Sequence, residues 1–149
     1  MGYGDTLSPA YVDNSLYGAA KNGTTGYIAV AGTWTAGADA TANCGAMLKN
    51  TSEALNDELG FGPFYLPGSN NLKFKLTYKG DTASAIVTVY LDGVSIGTID
   101  LYKTPATQDL AASLALGTIT TGLHSIRVKA TGKSGSSYRI NVLGVGVGY

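Results

Sequence analysis

Residues capable of acid–base or metal chemistry are few in this chain. His124 is the only histidine and Cys44 the only cysteine, so neither a histidine pair nor a multi-cysteine metal site can form within it. No serine stands in a G-x-S-x-G turn, so a Ser-His-Asp triad has no support from the sequence. We predict that His124 is a packed or rim histidine, hydrogen-bonded to a loop.

Acidic residues suited to glycoside hydrolysis are concentrated in one short stretch. Glu53, Asp57 and Glu58 are close in sequence, in a segment (51–60) whose pattern fits a helical turn and an irregular loop equally. Hydrolysis would need two carboxyl groups about 5 to 9 Å apart across a cleft. A solvated cap explains such neighbouring acids more simply, so the sequence predicts a protein that is not an enzyme.

Aromatic residues are better candidates for a binding surface. Trp34 lies between two threonines, and a flat exposed ring beside hydroxyl groups is suited to stacking on a sugar; the alternative is a core anchor. Tyr65 and Tyr102 fall at predicted strand ends close to prolines. Either could line a shallow site, pack at the rim or lie in a subunit interface, where tyrosine is enriched.

Charge excludes several classes of partner. Ten lysines and arginines balance ten acidic residues, and charged residues are 13% of the chain, against roughly 25% in an average soluble domain. No long-range field exists to attract nucleic acid or an anionic membrane, so neither is expected as a partner. The N-terminus lacks the basic and apolar regions of a secretory signal, which predicts synthesis and retention in the cytosol.

Residues 1–26 differ from the rest of the chain. They carry scattered glycines and show no sustained helical or strand period. Tyr3, Tyr11 and Tyr17 are too many aromatics for a merely solvated tail, because disordered segments are usually poor in them. We therefore predict an N-terminal arm that contacts a surface of its own domain or of a neighbour, followed by one domain over 27–149.

Strand patterns dominate that domain. Residues 85–102 form two apolar runs about Asp92-Gly93, a dipeptide typical of two-residue hairpin turns. Residues 72–78 and 123–130 alternate apolar and polar side chains, as a half-buried strand does. Pro63 would confine the strand at 61–66 to a sheet edge or a strand start. Short alternating runs separated by turns predict an all-β sandwich or barrel.

Part of the sequence resembles a known family. The order VTVYLDGVSIGTIDLY, a linker, ITTGLHSIRVKATG and a last apolar strand is similar to the C-terminal half of carbohydrate-binding-module and galactose-binding-like jelly rolls, and to accessory jelly-roll domains of tailed-phage virions. The resemblance covers roughly residues 71–149. It implies a jelly-roll β-sandwich of two antiparallel sheets.

The same resemblance raises the question of calcium. Members of the carbohydrate-binding family often hold a structural calcium through an N-terminal acidic pair, whereas this chain offers only Asp39 with Asn43 nearby. Calcium takes about six to eight oxygen ligands, usually including carboxylates. A structural calcium is therefore unsupported, and we expect no cofactor.

Two functions from different classes fit these observations. The first is a virion structural protein: a capsid decoration or fibre-type jelly roll, whose arm and loops bind the major capsid protein, another virion protein or sister subunits of a homo-oligomer such as a trimer. The second is a carbohydrate-binding module that recognises surface glycans. The first is the main hypothesis, because no secretion signal or enzyme domain accompanies the jelly roll.

Overall fold

The structure is a computed structural model that describes residues 27–43 and 45–149. The predicted arm, with Tyr3, Tyr11 and Tyr17, and the residue Cys44 lie outside the described residues. The described part of the chain contains ten strands, which are β1 (Tyr27–Ala31), β2 (Trp34–Ala38), β3 (Ala46–Asn50), β4 (Glu58–Leu66), β5 (Lys73–Gly80), β6 (Ala85–Leu91), β7 (Val94–Asp100), β8 (Thr107–Ala115), β9 (Gly122–Lys133) and β10 (Asn141–Gly148).

The strands form two five-stranded sheets. Sheet I has the order β1-β4-β9-β6-β7, and sheet II has the order β2-β3-β10-β5-β8. Every pair of neighbouring strands is antiparallel. The predicted all-β sandwich of two antiparallel sheets is thus confirmed. Within the described ranges, no helix is long and apolar enough to cross a bilayer.

The predicted hairpin is formed by β6 and β7. Asp92 and Gly93 make its two-residue loop with φ angles of 50° and 83°. Positive φ at both central positions is the signature of the type I′ turn, whose twist matches that of the flanking strands. The Asp-Gly dipeptide therefore sets the register of these two strands.

The core lies between the sheets and follows the predicted alternation. On β5, Phe74 and Leu76 are fully buried and Lys73 is exposed. On β9, Ile126 and Val128 are fully buried. Because successive side chains of a strand point to opposite faces, the polar residues between them must lie on the outer face of each sheet.

The prediction for Pro63 was wrong. β4 is neither an edge strand nor does it start at Pro63, because it lies between β1 and β9 and begins at Glu58. The proline is accommodated because the register of pairing between β4 and β9 shifts between Phe61 and Phe64, on either side of it. A register shift of this kind needs no backbone N–H from the proline.

Segment 51–57 adopts the second of its two predicted alternatives, an irregular loop. Glu53 and Asn56 both have positive φ, at 44° and 72°, which a helical turn does not allow. The loop is held by Asp57, whose Oδ2 accepts hydrogen bonds from Asn50 Nδ2 at 2.7 Å, Ser52 Oγ at 2.7 Å and a backbone N–H at 3.0 Å.

Candidate functional site

Three neighbouring strands of sheet I place polar side chains on its outer face. Because Ile126 and Val128 of β9 point into the core, Arg127 and Lys129 point away from it. The register sets Arg127 beside Tyr90 of β6 and Lys129 beside Glu58 of β4. Residues far apart in sequence are thereby gathered into one patch.

This patch is concave. The depression has a volume of about 660 Å³ and is open to solvent. Its lining residues come from β4, from the β6–β7 hairpin and from β9, and they are Glu58, Tyr90, Asp92, Gly93, Ser125, Arg127 and Lys129. One aromatic ring therefore lies among hydrogen-bond donors and acceptors of both charges.

The charges in the depression are only partly paired. Arg127 Nη1 lies 3.8 Å from Glu58 Oε2, with the arginine side chain 51% exposed and the glutamate side chain 13% exposed. An ion pair this long, with its arginine half-exposed to solvent, contributes little to stability. The guanidinium and carboxylate groups thus keep hydrogen-bonding capacity for a ligand, and the planar guanidinium can bind two neighbouring oxygens at once.

The rim of the depression is fixed by Asp92 and His124. Asp92 Oδ1 accepts a hydrogen bond from the Ser125 N–H at 2.8 Å, and its Oδ2 lies 2.6 Å from His124 Nδ1. His124 is buried, and its Nε2 lies 2.6 Å from the Thr120 carbonyl oxygen. The predicted loop-bonded histidine is therefore present, and it ties the hairpin turn to the loop before β9.

The two groups shift each other's proton affinity. The hydrogen bond to Asp92 raises the pKa of His124, the Thr120 carbonyl adds to this, and burial opposes both. Burial alone would raise the pKa of Asp92, but the hydrogen bonds from Ser125 and His124 and the histidine charge outweigh it and lower that pKa. Both shifts favour a charged pair.

This pair is not part of a nucleophilic triad. A triad histidine uses one ring nitrogen for the carboxylate and leaves the other for the nucleophile. In His124 the second nitrogen is bonded to the Thr120 carbonyl oxygen. The arrangement is suited to fixing a turn rather than to activating a hydroxyl group.

The three acids of the 51–60 segment have separate partners. Glu53 accepts hydrogen bonds from Arg139 and Ser137, with the Arg139 Nε to Glu53 Oε1 distance at 2.8 Å. Asp57 is buried among its loop partners, and only Glu58 faces the depression. They are therefore not arranged as paired catalytic carboxylates.

The aromatic residues predicted as binding contacts lie in three separate parts of the sandwich. Trp34 is half-buried at the start of the edge strand β2, packs against the core and donates its Nε1–H to the Ala31 carbonyl oxygen at 2.9 Å. Tyr65 is 62% exposed on β4, opposite Leu123 of β9. Tyr102 is exposed just after β7. None of them lines the depression, and their roles as glycan or partner contacts stay predictions.

The sequence carried one usable signal for the residues of the depression. Alternation on β9 places Arg127 and Lys129 on a solvent face, and the hairpin places Tyr90 on a neighbouring strand. The pairing of β6 with β9, which brings them together, spans about forty residues and is not visible in a local pattern.

Asp39 and Asn43, the residues considered as calcium ligands, form hydrogen bonds with neighbouring groups. Asp39 Oδ1 accepts hydrogen bonds from the Thr41 hydroxyl and N–H. These hydrogen bonds lower the pKa of Asp39, and burial opposes them. Gln108 Nε2 donates to Asp39 Oδ2 at 3.1 Å, and the Asn43 N–H donates to Asp109. Among the described residues, no group of three or more histidine, cysteine or acidic side chains could hold a metal ion.

Comparison with known proteins relates this chain to others by fold. No family model matches the sequence, and no curated protein matches it. Among solved structures, a family 35 carbohydrate binding module from Clostridium thermocellum aligns with a TM-score of 0.59 at 13% identity, over 83% of this chain and 93% of that module. The likeness confirms the predicted jelly-roll β-sandwich.

Two larger proteins contain a similar part. The Paenibacillus xanthan lyase aligns with a TM-score of 0.55 at 23% identity, and the match covers 82% of this chain but 12% of the lyase. An arabinoxylan arabinofuranohydrolase of glycoside hydrolase family 43 from Bacillus subtilis, solved with cellotetraose, aligns with a TM-score of 0.50 at 19% identity, over 69% of this chain and 20% of that one. At such identities the likeness shows the fold alone.

Proposed function

We propose that this chain is a carbohydrate-binding module that binds a glycan, without catalysis, in the depression on the outer face of sheet I. The observation that carries the proposal is the combination of one tyrosine ring with Arg127, Lys129 and Glu58 in a single open depression. Pockets for small ligands combine an aromatic or apolar surface with a few placed polar groups. The fold shared with a family 35 carbohydrate binding module supports this class of ligand.

Each side chain of the depression would make a different kind of contact with a glycan. The half-buried Tyr90 offers a ring face held by its strand, suited to the apolar face of a sugar. Arg127 and Lys129 donate hydrogen bonds to hydroxyl oxygens, and the Glu58 carboxylate accepts them. A shallow and solvent-exposed site of this kind suits an extended glycan better than a fully enclosed small molecule.

A glycan array followed by calorimetric titration tests the proposal. Tyr90→Ala should weaken binding at least tenfold, about 1.4 kcal/mol, since truncating a central aromatic contact commonly costs more than 1 kcal/mol. Tyr65→Ala, which removes an exposed tyrosine of the same sheet outside the depression, is the matched control and should leave affinity unchanged.

Either of two results would contradict the proposal. One is an array without signal across broad glycan classes. The other is binding that Tyr90→Ala leaves intact and that Trp34→Ala, Tyr65→Ala or Tyr102→Ala abolishes, which would move the site to one of the aromatic residues first predicted from the sequence.

The virion hypothesis, with its capsid partner and homo-oligomer, stays a prediction that no comparison supports. It is tested separately, by binding of the chain to empty capsids with and without residues 1–26. Glycan binding at the depression does not depend on that outcome.

A further inference from the structure

The depression on sheet I presents a pair of cations to solvent. Arg127 and Lys129 leave β9 on the same face, and two residues of a strand span about 6.8 Å, so one acid group can contact both side chains. The arginine side chain is 51% exposed, whereas the Glu58 side chain, 3.8 Å from it, is 13% exposed. A ligand that enters from solvent therefore meets the guanidinium before it meets the carboxylate.

Asp92, the second acid of the depression, already has partners for both of its oxygens. Oδ1 accepts the Ser125 N–H at 2.8 Å, and Oδ2 lies 2.6 Å from His124 Nδ1. The other ring nitrogen of His124 lies 2.6 Å from the Thr120 carbonyl oxygen. Because both hydrogen bonds need a proton on each nitrogen, this arrangement places an imidazolium cation against the Asp92 carboxylate.

The site is therefore cationic, although the chain as a whole is not. Its positive side chains outnumber its negative ones by one; the positive ones are Arg127, Lys129 and His124, and the negative ones are Glu58 and Asp92. Over the whole chain, ten basic residues balance ten acidic ones. Since a chain without net charge has no long-range field, an acid group must be recognised here by direct contact.

We propose that the ligand of the depression is an acidic glycan, whose carboxylate or sulfate group binds between Arg127 and Lys129 while a sugar ring packs on Tyr90. This inference rests on the proposed function, because it names the class of glycan for the same depression. A guanidinium binds two oxygens of one acid group, and an ammonium adds a compact charge. Hydrogen bonds between charged groups are about twice as strong as neutral ones, so the acid group decides which glycan binds.

Nucleic acid offers similar acid groups but suits the depression less well. Binding through phosphates depends on several cations spread along the nucleic-acid backbone. The next outward residues of β9 are Leu123 and Ser125 in one direction and Thr131 in the other, and none of them is charged. The positive charge is thus confined to one place, as a single acid group on a sugar requires.

An array that carries each glycan in an acidic and a neutral form is the first test. Uronate-containing glycans are paired with their methyl esters, and sulfated glycans with the same chains without sulfate. At pH 6 the full-length chain should bind the acidic member of a pair at least about tenfold more tightly. Preference for uronates or for sulfates identifies the source of the acid group, and either one supports the inference.

Charge-removing variants locate the contact by calorimetric titration of the tightest acidic glycan. Arg127→Gln keeps amide donors for hydroxyl groups, so it should weaken the acidic glycan at least about fivefold more than its neutral form. Glu58→Gln should act in the opposite direction and tighten the acidic glycan about twofold or more, because it removes a like charge. Lys73→Gln, at an exposed lysine of sheet II, is the matched control and should leave both affinities unchanged.

Several results would overturn the inference. Neutral forms that bind as tightly as acidic ones would leave a glycan site without this selectivity, so that the proposed function stands and the inference fails. A loss of acidic binding in Lys73→Gln equal to that in Arg127→Gln would mean general charge attraction. Equal affinity for single-stranded DNA would replace the glycan with a nucleic acid. An array without any signal would overturn the proposed function and the inference together.

Discussion

The contact between His124 and Asp92 makes the stability of the fold depend on the protonation of His124. Both ring nitrogens of His124 lie 2.6 Å from acceptor oxygens, one on Asp92 and one on Thr120. Both hydrogen bonds can form only when each nitrogen carries a proton, so the folded state favours the imidazolium form. A single residue thus couples the hairpin turn, the loop before β9 and the rim of the depression to pH.

The free energy of unfolding should therefore fall as pH rises from about 6 to 9. The pKa of His124 is raised above its ordinary 6.5, so its contribution is complete below that value and is lost as pH passes the folded-state pKa. Because the Asp92 side chain is 45% exposed, solvent screening limits the change to about 1 kcal/mol or less. Urea unfolding across this pH range measures it.

Asp92→Asn is the matched variant for this measurement, because asparagine tolerates positive φ and still accepts the Ser125 N–H through its carbonyl oxygen. The fall in stability between pH 6 and 9 should shrink in this variant. An unchanged pH profile would assign the titration to another group.

The lowered pKa of Asp92 also predicts a loss of stability in acid, because the contribution of Asp92 to the free energy of unfolding is lost as pH falls through its folded-state pKa.

At the scale of the elements, the Asp92-Gly93 turn is a local determinant of sheet I. A β-carbon at Gly93 would have no atom within 4 Å, so a side chain there would meet no steric obstacle. The φ of 83° is the remaining cost. Gly93→Val should therefore destabilise the fold through backbone strain alone, by about 1–2 kcal/mol.

Gly37→Val is the control for this prediction. A β-carbon at Gly37 also meets open space, and Gly37 lies in β2 without positive φ. The same change in volume and branching should alter the free energy of unfolding there by no more than about 0.5 kcal/mol. If chemical denaturation gave equal values for both variants, the positive φ at Gly93 would not be the cause.

The elements also show what a sequence can and cannot predict. The hairpin at Asp92-Gly93 and the alternation of β5 were predicted because their causes are local: a turn dipeptide and a period of two. The strand position of Pro63 was not predicted, because the register shift that accommodates it lies between β4 and β9, which are distant in sequence. The depression was missed for the same reason, since Tyr90 and Arg127 meet only through strand pairing.

At the scale of the molecule, the two sheets share one core. Its buried cluster draws side chains from both, including Phe74 and Leu76 of sheet II and Val128 of sheet I. A single contiguous core favours one cooperative unfolding transition in a domain of this size. The depression on sheet I therefore depends on packing beneath it that it shares with the opposite sheet.

Phe74→Ala tests this dependence, because Phe74 is the largest fully buried side chain among the described residues. Truncation should cost about 3–5 kcal/mol through lost burial and the cavity that remains. Lys73→Ala, the preceding outward residue, should change stability by about 0.5 kcal/mol or less. The transition should stay single by circular dichroism and tyrosine fluorescence, since both sheets lose the same packing partner. Two separated transitions in Phe74→Ala would instead mean that sheet I, with its depression, holds together without sheet II.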